Sequence, residues 1–350
     1  MLERPLNDLD FDELVHFVET LGGSGPQARR IFSALYRPGR DPSLGLLGRL
    51  DEVSPRLVSQ IERAPWGSLR VLDRRRASDG FVKYLFESPL GGRFETVRIP
   101  LFDEKHVVCV SSQVGCALGC DFCATGRLGF SRHLETWEMV EQVRVLRDEA
   151  PLPVRHVVFM GMGEPFLNEK RVLRAAHLFT RSGGLQIAGR NITISTAGIV
   201  PAIRRYAAAD HPFRLTFSLT SAIPQKRLRL MPIEKRYPLP ELIDAIREFT
   251  RLRRERAVVA YVAIRGLNTG PEDVEALRAA FEGIPIKLDL IDVSDSTGRY
   301  QPPDEAELRR FRDMLQTLRV PIGRRYSGGK EIGAACGNLA ATCQGGEPID

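Results

Sequence analysis

At 350 residues the chain is too long for one small module and suits two domains, or one large α/β domain with an appendage. Hydrophobic residues at 43% and charged residues at 27% exclude a largely disordered chain, and no apolar run approaches the ~18 residues of a membrane span. The 50 Lys and Arg outweigh the 44 Asp and Glu by 6, and only seven of the 50 are Lys, an Arg-based excess compatible with phosphate binding and equally with a GC-rich genome.

The opening segment MLERPLNDLDFDELVHF is acidic and amphipathic, unlike a signal or transit peptide, so a cytoplasmic protein with no membrane partner is expected. Residues 1–64 read as short helices: DFDELVHFVETLG, GPQARRIFSALYRPG and RLDEVSPRLVSQIERA carry apolar residues near the helical period and end at Gly or Pro. Between 68 and 100 the period changes to alternation in SLRVLDRRR, FVKYLFES and GRFETVRIP, with SDG and PLGG between them. This predicts an antiparallel meander. From 101 to 326, six short β-branched runs alternate with helical stretches, from VVCVSSQ to KLDLIDV, and VPIGRRY supplies a last strand. Continuous apolar strands separated by helices predict a parallel sheet. Six βα units are too few for a closed eight-stranded barrel, so an open, partial (β/α)6 TIM-type barrel is expected. The division is therefore an accessory domain at 1–100, a core at 101–326 and a glycine-rich tail at 327–350.

Six cysteines remain: Cys109, Cys116, Cys120, Cys123, Cys336 and Cys343. Cys116, Cys120 and Cys123 follow the first barrel strand with C-x3-C-x2-C spacing. Three thiolates on one tight loop can hold three irons of a 4Fe–4S cube and leave the fourth iron open to a small chelating ligand. The competing reading is structural zinc, which wants four ligands, usually as two C-x2-C pairs. No second pair follows here.

At this point the chain resembles the radical S-adenosylmethionine (SAM) superfamily. The match narrows in VCVSSQVGCAL (108–118), GMGEP (161–165), ISTAG (194–198), FETVRIP (94–100) and AACGNL (334–339), which look like the signatures of the RlmN/Cfr class of radical SAM RNA adenine methyltransferases. The helical N-terminus favours the RlmN side. The resemblance implies a 4Fe–4S cluster on Cys116, Cys120 and Cys123, and SAM bound near Phe122, Gly163, Glu164, Ser195, Ser218, Leu219, Thr220 and Ser294. It implies further that Cys336 carries the methyl group as S-methylcysteine, that Cys109 resolves the adduct through a transient disulfide with Cys336, and that Glu95 accepts a proton. A strand-end Ser taken alone is more simply a helix N-cap. Cys336, flanked by Gly333 and Gly337, suits a thiol that swings between two positions.

Two positions depart from the family: Thr220 stands where His is common, and Ser294 where Asn is common. The expected reaction is methylation of an adenine ring carbon, C2, in ribosomal or transfer RNA. Methylation at C8 and a non-RNA substrate are the alternatives. Expected partners are the RNA and an electron donor such as flavodoxin or ferredoxin, with the enzyme a monomer. Candidate RNA contacts are the N-terminal helices, Arg74-Arg75-Arg76, and the loop from Gly126-Arg127 to Arg132-His133.

Overall fold

The structure, a computed structural model, describes residues 2–39, 50–101, 104–341 and 347–348. Cys343 lies outside the described residues. Near the N-terminus come α1 (Phe11–Thr20), α2 (Gly25–Leu35) and α3 (Pro55–Glu62). Local chemistry sets their starts. Asp10 Oδ1 accepts the Glu13 amide while Glu13 Oε2 accepts the Asp10 amide, both at 2.9 Å, and Ser54 caps α3 ahead of Pro55.

The meander follows as β1 (Arg70–Arg76), β2 (Val82–Glu87) and β3 (Arg93–Leu101). The barrel opens with β4 (Lys105–Cys109). A short ribbon of β5 (Gln113–Gly115) and β6 (Phe130–His133) then flanks the one-turn α4 (Ala124–Arg127). The remaining elements alternate: α5 (Thr136–Asp148), β7 (Val154–Phe159), α6 (Glu169–Thr180), β8 (Ile192–Thr196), α7 (Val200–Ala208), β9 (Arg214–Ser218), α8 (Pro224–Leu230), α9 (Leu239–Arg253), β10 (Ala257–Ala263), α10 (Pro271–Ala280), β11 (Ile286–Asp292), α11 (Glu305–Gln316) and β12 (Ile322–Arg325). A two-residue strand, β13 (Glu347–Pro348), ends the described chain.

One sheet contains every strand except the ribbon, in the order β12-β11-β10-β9-β8-β7-β4-β3-β2-β1-β13. From β4 through β12 all neighbours are parallel, and each strand lies beside its predecessor in that series. This is the open partial barrel that the six alternating units imply, with strands buried on both faces and hence apolar throughout. The meander is not a separate layer: β3 pairs antiparallel with β4, Val97 opposite Cys109, so one sheet joins the meander to the barrel. The N-terminal helices dock outside the barrel on α5 and α6, through Asp8 Oδ1 accepting the Trp137 amide and Arg174 donating to the Asp8 carbonyl.

Sequence periodicity runs VVCVSSQ together as one strand, but β4 stops at Cys109 and Gln113 belongs to the ribbon. Gly115 marks the change. Its φ is +74°, and a Cβ there would sit 1.9 Å from the Gly129 carbonyl oxygen. The chain therefore turns tightly, with the Cys116 amide bonded to that same oxygen at 2.8 Å.

Candidate active site

The C-terminal ends of the parallel strands surround a cavity of about 950 Å³ of empty space including its mouth. Cys116, Cys120 and Cys123 line it on one side, with Phe122 between the last two. Gly163, Glu164, Ser195, Ser218, Thr220 and Ser294 line it from successive strand ends. A second cavity adjoins it, lined by Cys109, Val107, Val158 and Thr125. Cys123, Met160, Gly161, Arg325, Cys336 and Gly337 belong to both walls. The fold thus brings together the cysteine loop, the strand-end polar groups and both distant thiols.

Each strand-end group has a definable local role. Ser195 and Ser218 hydroxyls lie 3.2 Å apart and cap no helix. The turns after their strands are made instead by Thr196, bonded to the Gly198 amide at 3.2 Å, and by Ser221, bonded to the Ile223 amide at 3.1 Å. Thr220 has φ +63°, its carbonyl accepts Asn268 Nδ2 at 2.7 Å, and its Oγ1 is buried without a hydrogen-bond partner among the described residues. A buried hydroxyl with no protein partner, facing a cavity, is ready for a polar ligand group. Leu219 is fully buried and absent from the cavity wall, so what it contributes is backbone.

Glu164 uses both carboxylate oxygens internally, on the Phe166 amide at 2.9 Å and the Ala197 amide at 2.8 Å. Burial pushes its pKa up to about 7 against those amide bonds. Gly163 has φ +98°, and a Cβ there would meet the Gln113 amide nitrogen at 2.9 Å, so close packing against the ribbon demands glycine at this position.

Arg227 holds this rim in place. Its side chain is fully buried, pairs through Nε with Glu234 at 2.9 Å, and donates to the carbonyls of Ala197, Ser218 and Leu219. One guanidinium thereby ties the ends of β8 and β9. Its fork geometry matches this task, but nothing in QKRLRLMPIEK singles it out from its exposed basic neighbours. Arg325, at the end of β12, lines both cavities and pairs with Asp289 at 3.2 Å.

The tail carrying Cys336 is held by the meander and the cysteine loop. Asp79 Oδ2 accepts the Tyr326 hydroxyl and the Gly329 amide, and Glu331 accepts from the Ser78 amide. Beyond Cys336, the Ala124 amide bonds the Gly337 carbonyl, Asn338 Nδ2 donates to Ser294 Oγ at 2.8 Å, and Thr125 Oγ1 donates to the Leu339 carbonyl. Glu95 is fully buried on β3. Its Oε1 lies 2.8 Å from Lys83 Nζ, and its Oε2 accepts the Ala340 and Ala341 amides at 2.7 and 3.1 Å. Cys336 itself has its amide on Ser327 Oγ at 3.3 Å, between Gly333 and Gly337, both at positive φ.

Burial pushes the Cys109 thiol up to about 12, with Cys336 adding to the shift, and raises Cys116, also to about 12, Cys120 and Cys123 above their ordinary value. Three thiols on one cavity wall suit a sulfur-liganded cluster, and Arg227 and Arg127 offset a small part of the burial that raises Cys120 and Cys123. His133, an imidazole close in sequence to these thiols, bonds to Gln113.

Four of the arginines expected to meet RNA are engaged within the protein. Arg74 forks onto Glu149, Arg75 pairs with Asp73, Arg132 forks onto Glu138, and Arg127 pairs with Asp295. Among the described residues no helix is long and apolar enough to cross a membrane.

Comparison with known proteins agrees with this geometry. The pattern of the Radical SAM superfamily matches residues 110–279. A protein of Myxococcus xanthus named probable RNA methyltransferase is 58% identical over 342 residues, 97% of this chain and 95% of its own length. A dual-specificity RNA methyltransferase RlmN of Syntrophobacter fumaroxidans is 37% identical over 96% of this chain and 98% of its own. The crystal structure of a radical SAM methyltransferase from Sphaerobacter thermophilus superposes with a TM-score of 0.89 at 33% identity, covering 97% of this chain and 99% of that one. A cluster loop, a strand-end rim and a tail thiol on one shared scaffold, in a chain alike to these relatives along nearly its whole length, place it in the radical SAM superfamily and, within it, in the family of RlmN-type methyltransferases.

Proposed function

We propose that this enzyme methylates C2 of an adenine in ribosomal or transfer RNA by relaying the methyl group through Cys336. The observation that carries the proposal is the position of Cys336, on the wall of both the cavity lined by the cysteine loop and the cavity lined by Cys109.

Cys116, Cys120 and Cys123 would hold the 4Fe–4S cluster, and Glu164, Ser195, Ser218, Thr220 and Ser294 would frame SAM, with Phe122 beside its base. When bound, the two supply a methyl donor and a one-electron route to a carbon radical. C2 of adenine is an electron-poor ring carbon and a poor nucleophile, so a thiol must carry the methyl group first. The Cys336 thiolate would take the methyl carbon from the sulfonium donor, which leaves as a neutral thioether, and so become a thioether itself. Transfer of a hydrogen atom from that S-methyl to the carbon radical would let its carbon bond to C2, linking RNA to Cys336.

Glu95 is the proposed acceptor of the C2 proton, and to act it must leave Lys83 and the tail amides. Attack of the Cys109 thiolate on the Cys336 sulfur would then break the bond between Cys336 and carbon, the freed methylene carbon taking up a proton to become the methyl group, and leave a disulfide; the bound cluster would supply a sink for the one surplus electron. Val97 pairs with Cys109, and Glu95 lies two residues along the same strand, so the two side chains address one face of the sheet.

The target adenine must leave its stack to enter such a cavity. The 37% relative bears a dual-specificity RNA methyltransferase name, and the 58% relative the broader RNA methyltransferase name. Nucleoside mass spectrometry of cellular RNA from strains with and without the gene tests the proposal. Loss of 2-methyladenosine in the deletion, restored by wild type and not by Cys336→Ala, is expected. Loss of 8-methyladenosine would move the reaction to the other carbon, and an unaltered methyladenosine profile would reject RNA methylation. Anaerobically purified protein should be brown, with about four irons per chain.

A further inference from the structure

Just outside the Cys109–Cys336 cavity runs a groove lined by Ser78, Asp79, Arg324, Tyr326, Lys330 and Glu331. The groove and the cavity share Arg325, Tyr326, Ser327 and Gly328, so one leads into the other. Tyr326 is 72% exposed, the most open of the large apolar side chains among the described residues, yet its orientation is fixed. Its hydroxyl donates to Asp79 Oδ2 at 2.9 Å, and its ring meets Phe81 edge-on at 6.0 Å. An exposed aromatic ring held at its edge and its hydroxyl presents a free face at little further entropy cost. The carboxylates around it are occupied: Asp79 by Tyr326 and Gly329, Glu331 by Ser78, and Asp292 by Arg324. Lys330 is exposed, with no ion-pair partner among the described residues.

Drawing one base out of a strand leaves its neighbour without a stacking partner. An anchored aromatic face at the lip of the receiving cavity replaces what was lost. We infer that Tyr326 is a stacking platform for the nucleobase next to the target adenine, and that Lys330 holds the adjoining phosphate. The inference rests on the RNA reading above and names a subsite for it. The flanking base is gripped by its face, so the subsite selects single-stranded RNA over duplex and is tolerant of which base stands there.

The test uses the purified full chain and two probes, a fluorescein-labelled oligoadenylate and the same oligomer fully paired with its complement, with binding followed by anisotropy over a range of salt concentrations. Tyr326→Leu should weaken oligoadenylate binding by about five- to a hundredfold with an unchanged salt slope, whereas Tyr326→Phe, which keeps the ring, should bind like wild type. Lys330→Met should flatten the salt slope by about 0.7, the value of one single-strand phosphate contact. Equal thermal midpoints and iron contents establish that the variants fold.

A Tyr326→Leu variant that binds as wild type does overturns the inference and leaves RNA methylation standing. So does a Phe variant that loses as much as Leu, since the hydroxyl and not the ring face would then matter. Wild type that binds neither probe and methylates no cellular RNA removes the RNA reading, and this subsite with it.

Discussion

Glu95→Gln separates two roles that one carboxylate could serve. Lys83 and Glu95 are 4% and 0% exposed and lie 2.8 Å apart, so their charges meet with almost no water. Gln keeps an oxygen for the Ala340 and Ala341 amides but removes the charge and weakens those two bonds, since an ionised acceptor holds an amide roughly twice as strongly as a neutral one. Breaking a buried pair by discharging one partner costs up to about 3–5 kcal/mol, because the other ion stays buried without the opposite charge it faced. With a urea slope of about 2–3 kcal/mol per molar, the midpoint should fall by up to about 1–2.5 M. Adding Lys83→Met should recover part of that loss, since the ammonium that faced Glu95 is gone. Urea titration gives the stability, and mass-spectrometric mapping of iodoacetamide uptake gives the exposure of Cys336, which should rise in Glu95→Gln and fall back in the double variant. A Glu95→Gln protein with the wild-type midpoint and unaltered alkylation, but no methylation, would refute the latch and leave proton transfer as the whole role.

Three other outcomes follow from the same geometry. Cys109→Ala should accumulate a covalent RNA–protein adduct, visible as a slow-migrating band that ribonuclease collapses, whereas Cys336→Ala should form neither adduct nor product. Arg227→Met should cost roughly 3–5 kcal/mol in urea unfolding, by stranding Glu234 and three carbonyls, and Arg227→Met with Glu234→Leu should lose less than the sum of the two single changes. The third concerns His106, buried on β4, whose Nδ1–H donates to the Leu152 carbonyl at 3.1 Å; burial holds its pKa below the ordinary value, with Arg98 lowering it further against that bond. Its contribution is complete above the unfolded value of about 6.5 and is lost as pH falls towards the folded one. Unfolding midpoints measured from about pH 7.5 down to about 5.5 should therefore drop in wild type and drop less in His106→Phe.

What could be read from the sequence follows from how local each signal is. The parallel strands announce themselves as unbroken β-branched runs because both faces are covered, and ILVMF-rich segments such as AVVAYVAI admit little else. The cysteine loop is equally local, three thiols within eight residues. The ribbon is not: QVG and FSRH have three and four residues, too few to show alternation, and their pairing is enforced by Gly115 against Gly129. Leu219 illustrates a register limit. Naming Ser218, Leu219 and Thr220 together cannot say which side chain turns inward, and the αL conformation at Thr220 decides it. The RRR run of β1 looks like a phosphate-binding surface, yet the partner of Arg74 is Glu149, 75 residues away. Likewise the latch of Glu95 on Ala340 spans 245 residues. Pairings at such separations leave no periodic trace in composition or spacing.

The continuity of the sheet explains why the meander and the tail that carries Cys336 belong to one unit. An open barrel leaves the outer edge of β4 with unpaired backbone groups, and β3 covers that edge. In doing so it fixes Glu95 two residues from the partner of Cys109, and β2 sets Lys83 against it. The turn before β2 carries Ser78 and Asp79 to the other flank of the tail. The tail has almost no regular structure among its described residues, so its own backbone cannot hold Cys336 in place. Carboxylate–amide contacts with the meander, one on each side of the thiol, share that task with the cysteine loop, which bonds Gly337 and Leu339, and with Ser294, which bonds Asn338. A substitution in β2 or β3 that leaves the cysteine loop untouched should therefore still move Cys336, since the position of the thiol is set in part from the strands that pair with β4 and not from the parallel strands alone.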